Sequence, residues 1–232
     1  MCIRDRADTV YKDLSSFQSF LLRHFKKHPQ YEEMYPSSNQ PARFFATAKT
    51  HKFPTLDDVN LNDLKLRPII DQTGTCYYHA GKVIAEYLKP LADNEYVIKD
   101  TQTFPALLKE LPPLKADEEE VSYDVESLFT SVPIKSTINH ICDEIYKENK
   151  LVPICKENIF RKLLSKLTTE CIFTANNKLY KQIDGVAMGG PLSVVFTGCF
   201  MNQMEQKVVK PRKPLFYKRL SLIHISEPTR PY

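Results

Sequence analysis

The side chain best placed to do chemistry is Asp124, in the stretch VSYDVESLFTSVP at residues 121–133. Val121, Tyr123 and Val125 alternate with Ser122, Asp124 and Glu126, the period of two that a half-buried strand requires. The acidic run at residues 117–120 reads as a solvated approach to that strand. A carboxylate near the end of a core strand, followed by Ser-Leu-Phe-Thr and a helix, suits a metal site at the edge of a sheet. A turn or cap carboxylate is the ordinary alternative. A second stretch, QIDGVAMGGPLS at residues 182–193, gathers three of the six glycines within six residues and opens into an apolar helical run. Upstream, KTHK at residues 49–52 and Arg67-Pro68-Ile69 set Lys49, Lys52 and Arg67 on two candidate strands. Cations on two strands joined by a loop can grip phosphates; a hairpin with solvated cations carries the same residues.

Taken in order, these motifs resemble the right-hand polymerases. The chain is similar to a reverse transcriptase, most like those of the Penelope-like retroelements, a branch related to telomerase. The resemblance covers roughly residues 43–219, and its specificity lies in the order and spacing of the motifs rather than in any one of them. It implies an α+β fold: an incomplete right-hand fingers–palm module with an antiparallel palm sheet backed by helices. It also implies template-directed DNA synthesis with an RNA template, a DNA primer and deoxynucleoside triphosphates as partners, and Mg²⁺ (or Mn²⁺) as cofactor.

In that family two divalent cations about 4 Å apart activate the attacking oxygen and stabilise the leaving one. Magnesium takes oxygen ligands, so carboxylates must converge from separate strands. Asp124 matches the first metal-binding Asp, with the Val125 carbonyl as a second oxygen, and Glu126 is left structural. Phe129, five residues after Asp124, matches the bulky aromatic beneath the sugar that favours deoxynucleotides; a core Phe is the alternative. Arg67 matches the arginine that grips the triphosphate through its planar guanidinium, Lys49 the lysine that assists it, and Lys52 faces template or solvent. Gly185, Gly189 and Gly190 would let the backbone approach a base pair or template sugar. Gln182 would contact nucleotide or template, or be an exposed strand residue.

The match has departures. Where the family more often reads Gly-Ser-Pro-Leu-Ser-Pro, this chain has Gly189-Gly190-Pro191-Leu192-Ser193-Val194. The aromatic-x-Asp-Asp turn that follows Tyr-Lys-Arg in the Penelope-like pattern, with two more metal-binding carboxylates, does not follow Tyr217-Lys218-Arg219. Residues 1–6 (MCIRDR) and 220–232 (LSLIHISEPTRPY) read instead as translated sequencing-adapter sequence. The expectation is therefore a reading frame cut before its catalytic pair: residues 7–43 an N-terminal helical and linker segment, 44–219 partial fingers and palm, and the chain by itself inactive. The competing class is a non-catalytic nucleic-acid-binding remnant; an RNA-dependent RNA polymerase is disfavoured by Phe129.

The elements that must position these residues follow from periodicity. Val10, Leu14, Phe17, Leu21 and Phe25 predict an amphipathic helix over residues 9–27. Residues 28–43 read as a loop, 44–52 and 64–71 as strands joined by a polar insertion at 55–63, and 77–91 as a helix that Pro90 stops or kinks. A shorter helix over 104–111 ends at Pro112 and Pro113. Ile134, Ile138, Ile141 and Ile145 make one helical stripe, and Ile159, Leu163 and Leu167 lie on another helix, 154–167. Residues 171–182 form a hairpin turning at Asn176-Asn177. The last helix turns Leu192, Val195, Phe196, Cys199, Phe200 and Met204 inward.

Composition is permissive. The chain has 232 residues, 42% hydrophobic and 26% charged, with net charge +4, enough for a sizeable core and compatible with nucleic acid. Six cysteines without a Cys-x-x-Cys spacing read as buried packing residues of a reducing compartment. His24 and His28 lack neighbouring ligands and read as surface histidines. With no long apolar run or leader pattern, the expectation is an intracellular protein, nuclear or cytoplasmic, with no membrane partner.

Overall fold

The computed structural model describes residues 2–3, 7–36, 38–48, 66–100, 102–170 and 172–220. Lys49, Lys52 and the 55–63 insertion lie outside them, as does nearly all of 220–232. The fold is mixed α and β. In chain order the elements are β1 (Cys2–Ile3), α1 (Ala7–Phe25), α2 (Tyr31–Met34), β2 (Ala42–Ala48), β3 (Leu66–Asp71), α3 (Tyr78–Ala92), β4 (Val97–Ile98), α4 (Thr103–Lys109) and α5 (Leu128–Ser131). Then come α6 (Ile134–Tyr146), α7 (Glu157–Thr169), β5 (Ile172–Ala175), β6 (Lys178–Lys181), α8 (Ser193–Met204), a π-helical turn (Glu205–Val209), α9 (Lys210–Arg212) and β7 (Arg219–Leu220).

The longer helices form where apolar residues recur every three to four positions, and those residues are the ones buried; α4 buries none of its own. Phe17, Leu21 and Phe25 of α1, Ile84, Leu88 and Leu91 of α3, and Ile138, Ile141 and Ile145 of α6 share one core with Phe160, Leu163 and Leu167 of α7. Val195, Phe196 and Cys199 of α8 complete it. Met204, expected to face inward, is 40% exposed. The inward face at the end of α8 is polar instead: Asn202, Gln203 and Glu205 are buried. Residues 28–43 are not all loop, because Met34 is fully buried and the short α2 carries it into the helical core.

The larger sheet has the strand order β1-β6-β5-β2-β3. β2 and β3 are antiparallel, with Thr47 opposite Arg67 and Arg43 opposite Asp71. β5 and β6 form the expected hairpin: Asn176 (φ 49°) and Asn177 (φ 57°) both take left-handed backbone, as a two-residue turn of the I′ type demands. The expectation of an antiparallel sheet is corrected at one seam, where β2 and β5 run parallel, Ala42 beside Phe173 and Arg43 beside Thr174. Two hairpins far apart in sequence meet there, and a chain that enters both from the same end aligns them in parallel. The sheet has only a small core of its own: Ala42, Ile70, Phe173 and Ala187. Among the described residues no helix is long and apolar enough to cross a membrane.

Candidate functional site: a glycine-rich loop joining two cores

The loop between β6 and α8 connects the two cores. Val186 is buried in the helical core and its neighbour Ala187 in the sheet core. The loop is tied to β3 by the Ile70 amide, which donates to the Met188 carbonyl at 2.7 Å. It is tied to the segment after Asp124 by the Val186 amide, which donates to the Phe129 carbonyl at 2.8 Å. The strand behind Arg67, the turn after Asp124 and the Gly-rich loop therefore converge, although more than a hundred residues separate the first from the last.

The glycines are used in this convergence. Gly185 sits at φ 64°, and a Cβ there would lie 2.5 Å from the Phe129 carbonyl oxygen and from the Thr130 Cα. Gly189 sits at φ 108°, with the Ile70 carbonyl oxygen 2.9 Å from where its Cβ would be. Only glycine meets both demands, left-handed backbone and a backbone neighbour inside van der Waals contact. At Gly190 the same space is filled by the Gln72 side chain, whose Oε1 would be 2.5 Å away. At these three positions a Cβ would meet the chain's own atoms.

The strand expected over 121–126 does not form. Residues 121–125 have no regular structure, and Val121, Tyr123 and Val125 are 56%, 86% and 47% exposed. Alternation makes a strand only where a neighbour accepts the backbone hydrogen bonds, and no described strand pairs with this segment. Asp124 and Val125 are consequently exposed on an extended approach to a turn. The chain reverses at Ser127, which takes left-handed backbone (φ 53°, ψ 39°). Its carbonyl accepts from the Thr130 amide at 3.1 Å and the Thr130 hydroxyl at 2.9 Å, opening α5. A non-glycine residue held there stores about 1 kcal/mol or more of strain.

Phe129 is half-buried and packs against the helical core. Arg67 is half-buried near the end of the β2–β3 hairpin that leads to the insertion. The opposite end is pinned by the ion pair of Arg43 with Asp71 at 2.7 Å. Hydrogen bonds from Thr73, then the Arg43 guanidinium, hold the Asp71 carboxyl below the usual range. Gln182 is turned into its own loop: its Nε2 donates to the Asp184 carbonyl at 2.8 Å, while its Oε1 is buried without a partner.

For magnesium, the residues described do not assemble a cage. Among them no three His, Cys, Asp or Glu side chains come together as metal ligands, and Asp124 lies on an exposed segment. Among the described cysteines Cys76, Cys142 and Cys199 are buried and Cys155 is half-buried; burial pushes Cys142 and Cys155 up to about 11 and Cys199 to about 12, so none of these three is a thiolate nucleophile at neutral pH.

A buried polar cluster went unnoticed in the sequence. Glu205 is 1% exposed at the start of the π-helical turn. It accepts from the Asn94 side-chain amide at 2.6 Å, from Arg219 Nε at 2.5 Å and from the Tyr217 hydroxyl at 3.3 Å. Asn202, one turn earlier, donates to the Leu91 carbonyl at 2.9 Å. The legible signal was Asn202 and Glu205 three apart, on a face expected to be apolar.

Fold and loop together define an α+β protein in which a Gly-rich loop fastens a cation-bearing hairpin to an aspartate-bearing turn. No protein-family model, no curated protein and no solved structure matches the chain.

Proposed function

We propose that this chain carries the fingers and palm elements of an RNA-directed DNA polymerase of the retroelement type. One observation supports the reading above the others. The loop at 185–190 is hydrogen-bonded both to β3, which carries Arg67, and to Phe129, which follows Asp124. Segments that resemble the triphosphate grip, the first acidic motif and the template loop are thus neighbours, as nucleotidyl transfer requires.

In this reading Arg67 presents a planar pair of donors to the triphosphate of a deoxynucleotide, Lys49 adds a second cation, and Lys52 lies towards the template. The loop fixes the distance between the grip and Asp124. Phe129, held by its backbone bond to Val186, sets the floor below the sugar. Magnesium would supply Lewis-acid chemistry, with Asp124 and the Val125 carbonyl among its ligands and further carboxylates coming from outside the described residues. A site with Asp124 as its one carboxylate binds cations weakly, and the expected outcome for chain 1–232 is no primer extension.

A non-catalytic nucleic-acid-binding protein is the second reading, favoured by the exposed position of Asp124 on a segment without regular structure. The two separate in the longer product of the source locus, read through the codon for Arg219. Asp124→Asn that abolishes RNA-templated extension while primer–template binding persists marks the polymerase. A product that binds the hybrid, never extends it and is indifferent to Asp124→Asn marks the binder.

A further inference from the structure

A cavity of about 400 Å³ lies between the turn at Glu95–Tyr96 and the segment from Val209 to Lys218. It shares no lining residue with the site described above, and its volume is in the range of small-ligand pockets. Lys210, Lys213 and Lys218 line it together with Tyr96, Phe216 and Tyr217, and Glu95 is the one acidic residue among the lining residues. From residue 206 to 219 the chain carries six cations and no carboxylate.

The walls are fixed in advance. The Tyr217 ring meets Tyr96 edge-on at 5.4 Å, and its hydroxyl donates to the buried Glu205. Phe216 rests against Phe104 at 6.3 Å. Lys213 is held in left-handed backbone (φ 45°) between α9 and Pro214, and the Lys218 ammonium donates to the Glu95 carbonyl at 2.6 Å. Glu205 takes up the charge of Arg219, leaving the exposed Lys210 and Lys213 for an outside anion.

We infer that this cavity is a binding site for single-stranded nucleic acid, seating one base against Phe216 and Tyr96 with its flanking phosphates on Lys210 and Lys213. An acidic peptide would use the lysines and leave the rings idle. Unpaired strands use both, because every base has a face to stack and a phosphate beside it. The inference stands apart from the polymerase reading.

The test is fluorescence anisotropy of purified chain 1–232 with labelled oligodeoxythymidylate of about 16 nucleotides over a range of salt concentrations. Lys210→Glu/Lys213→Glu is expected to weaken binding at least about tenfold and to reduce the salt slope by about 1.4, since each single-strand phosphate contact contributes about 0.7. Phe216→Ala should weaken it about tenfold at unchanged slope, the size of one lost base stack. Lys82→Glu, on the exposed face of α3, should do neither. All variants are first checked for the wild-type melting temperature; where Phe216→Ala melts early, Phe216→Leu replaces it. The site is overturned if the double variant behaves like Lys82→Glu, or if heparin competes fully and Phe216 variants bind normally, which would leave charge alone. Failure here leaves primer extension by the longer product unaffected, and failure of extension leaves these affinities unaffected, so the two readings fall separately.

Discussion

The amide of Val186 donates to the carbonyl of Phe129 at 2.8 Å, across a gap that Gly185 keeps open. That bond joins the turn after Asp124 to the loop whose other side is bonded to Ile70. The candidate site therefore depends on backbone contacts, and its weakest points are the positions where a Cβ would intrude.

Gly185→Ala is expected to cost about 3 kcal/mol, from left-handed backbone at about 1 kcal/mol and the remainder from overpacking against the Phe129–Thr130 backbone. Gly74→Ala is the control. Gly74 also has positive φ (83°), but its nearest neighbour would be 3.8 Å from the new Cβ, so only the conformational cost of about 1 kcal/mol applies. Urea midpoints of the two variants decide it; equal losses would mean that the close approach is easily relieved.

Glu205→Ala leaves the Arg219 guanidinium, 11% exposed, without its carboxylate, and breaking a buried pair from one side costs about 3–5 kcal/mol. The double variant Glu205→Leu/Arg219→Leu should recover much of that loss, because it leaves no buried charge unpaired. A double variant less stable than Glu205→Ala would show that the hydrogen bonds of Asn94 and Tyr217 dominate.

Asp71 gives a pH dependence. Its folded-state pKa lies below the ordinary carboxylate range, through hydrogen bonds from Thr73 and then the Arg43 guanidinium. Stability from this group is thus fully present above the unfolded value and is lost as pH falls through the lowered one. Asp71→Asn should be destabilised by about 0.5–1 kcal/mol at pH 7, and its deficit should shrink below about pH 4. A deficit that stays constant down to pH 2 would place the effect in packing.

Much of the fold was legible because local rules decide it. The Ile stripe of α6 and the Phe and Leu stripe of α1 repeat at helical spacing and are buried where that spacing puts them. Asn176-Asn177 is a turn because those two residues tolerate left-handed backbone. The segment at 121–126 has an equally good local pattern and no partner among the described residues, so the pattern fails there; pairing is a property of two segments. The parallel seam of Ala42 with Phe173 was hidden for the same reason. The glycines at 185, 189 and 190 were legible as a close approach, but which surface approaches is a tertiary fact: backbone at Gly185 and Gly189, and the Gln72 side chain at Gly190. The role of Glu205 is not legible in the sequence, because only the fold brings Arg219 and Asn94 beside a single acid at the end of an apolar helix.

The most direct measurement is RNA-templated primer extension by the longer product of the source locus, with and without Asp124→Asn. If this chain is the fingers and palm of a reverse transcriptase, the locus encodes an aromatic-x-Asp-Asp turn after Arg219, deoxynucleotides are incorporated, and Asp124→Asn lowers the rate on the order of a thousandfold with hybrid binding intact. If the longer product binds the hybrid, adds no nucleotide and treats Asp124→Asn as silent, the polymerase reading is wrong.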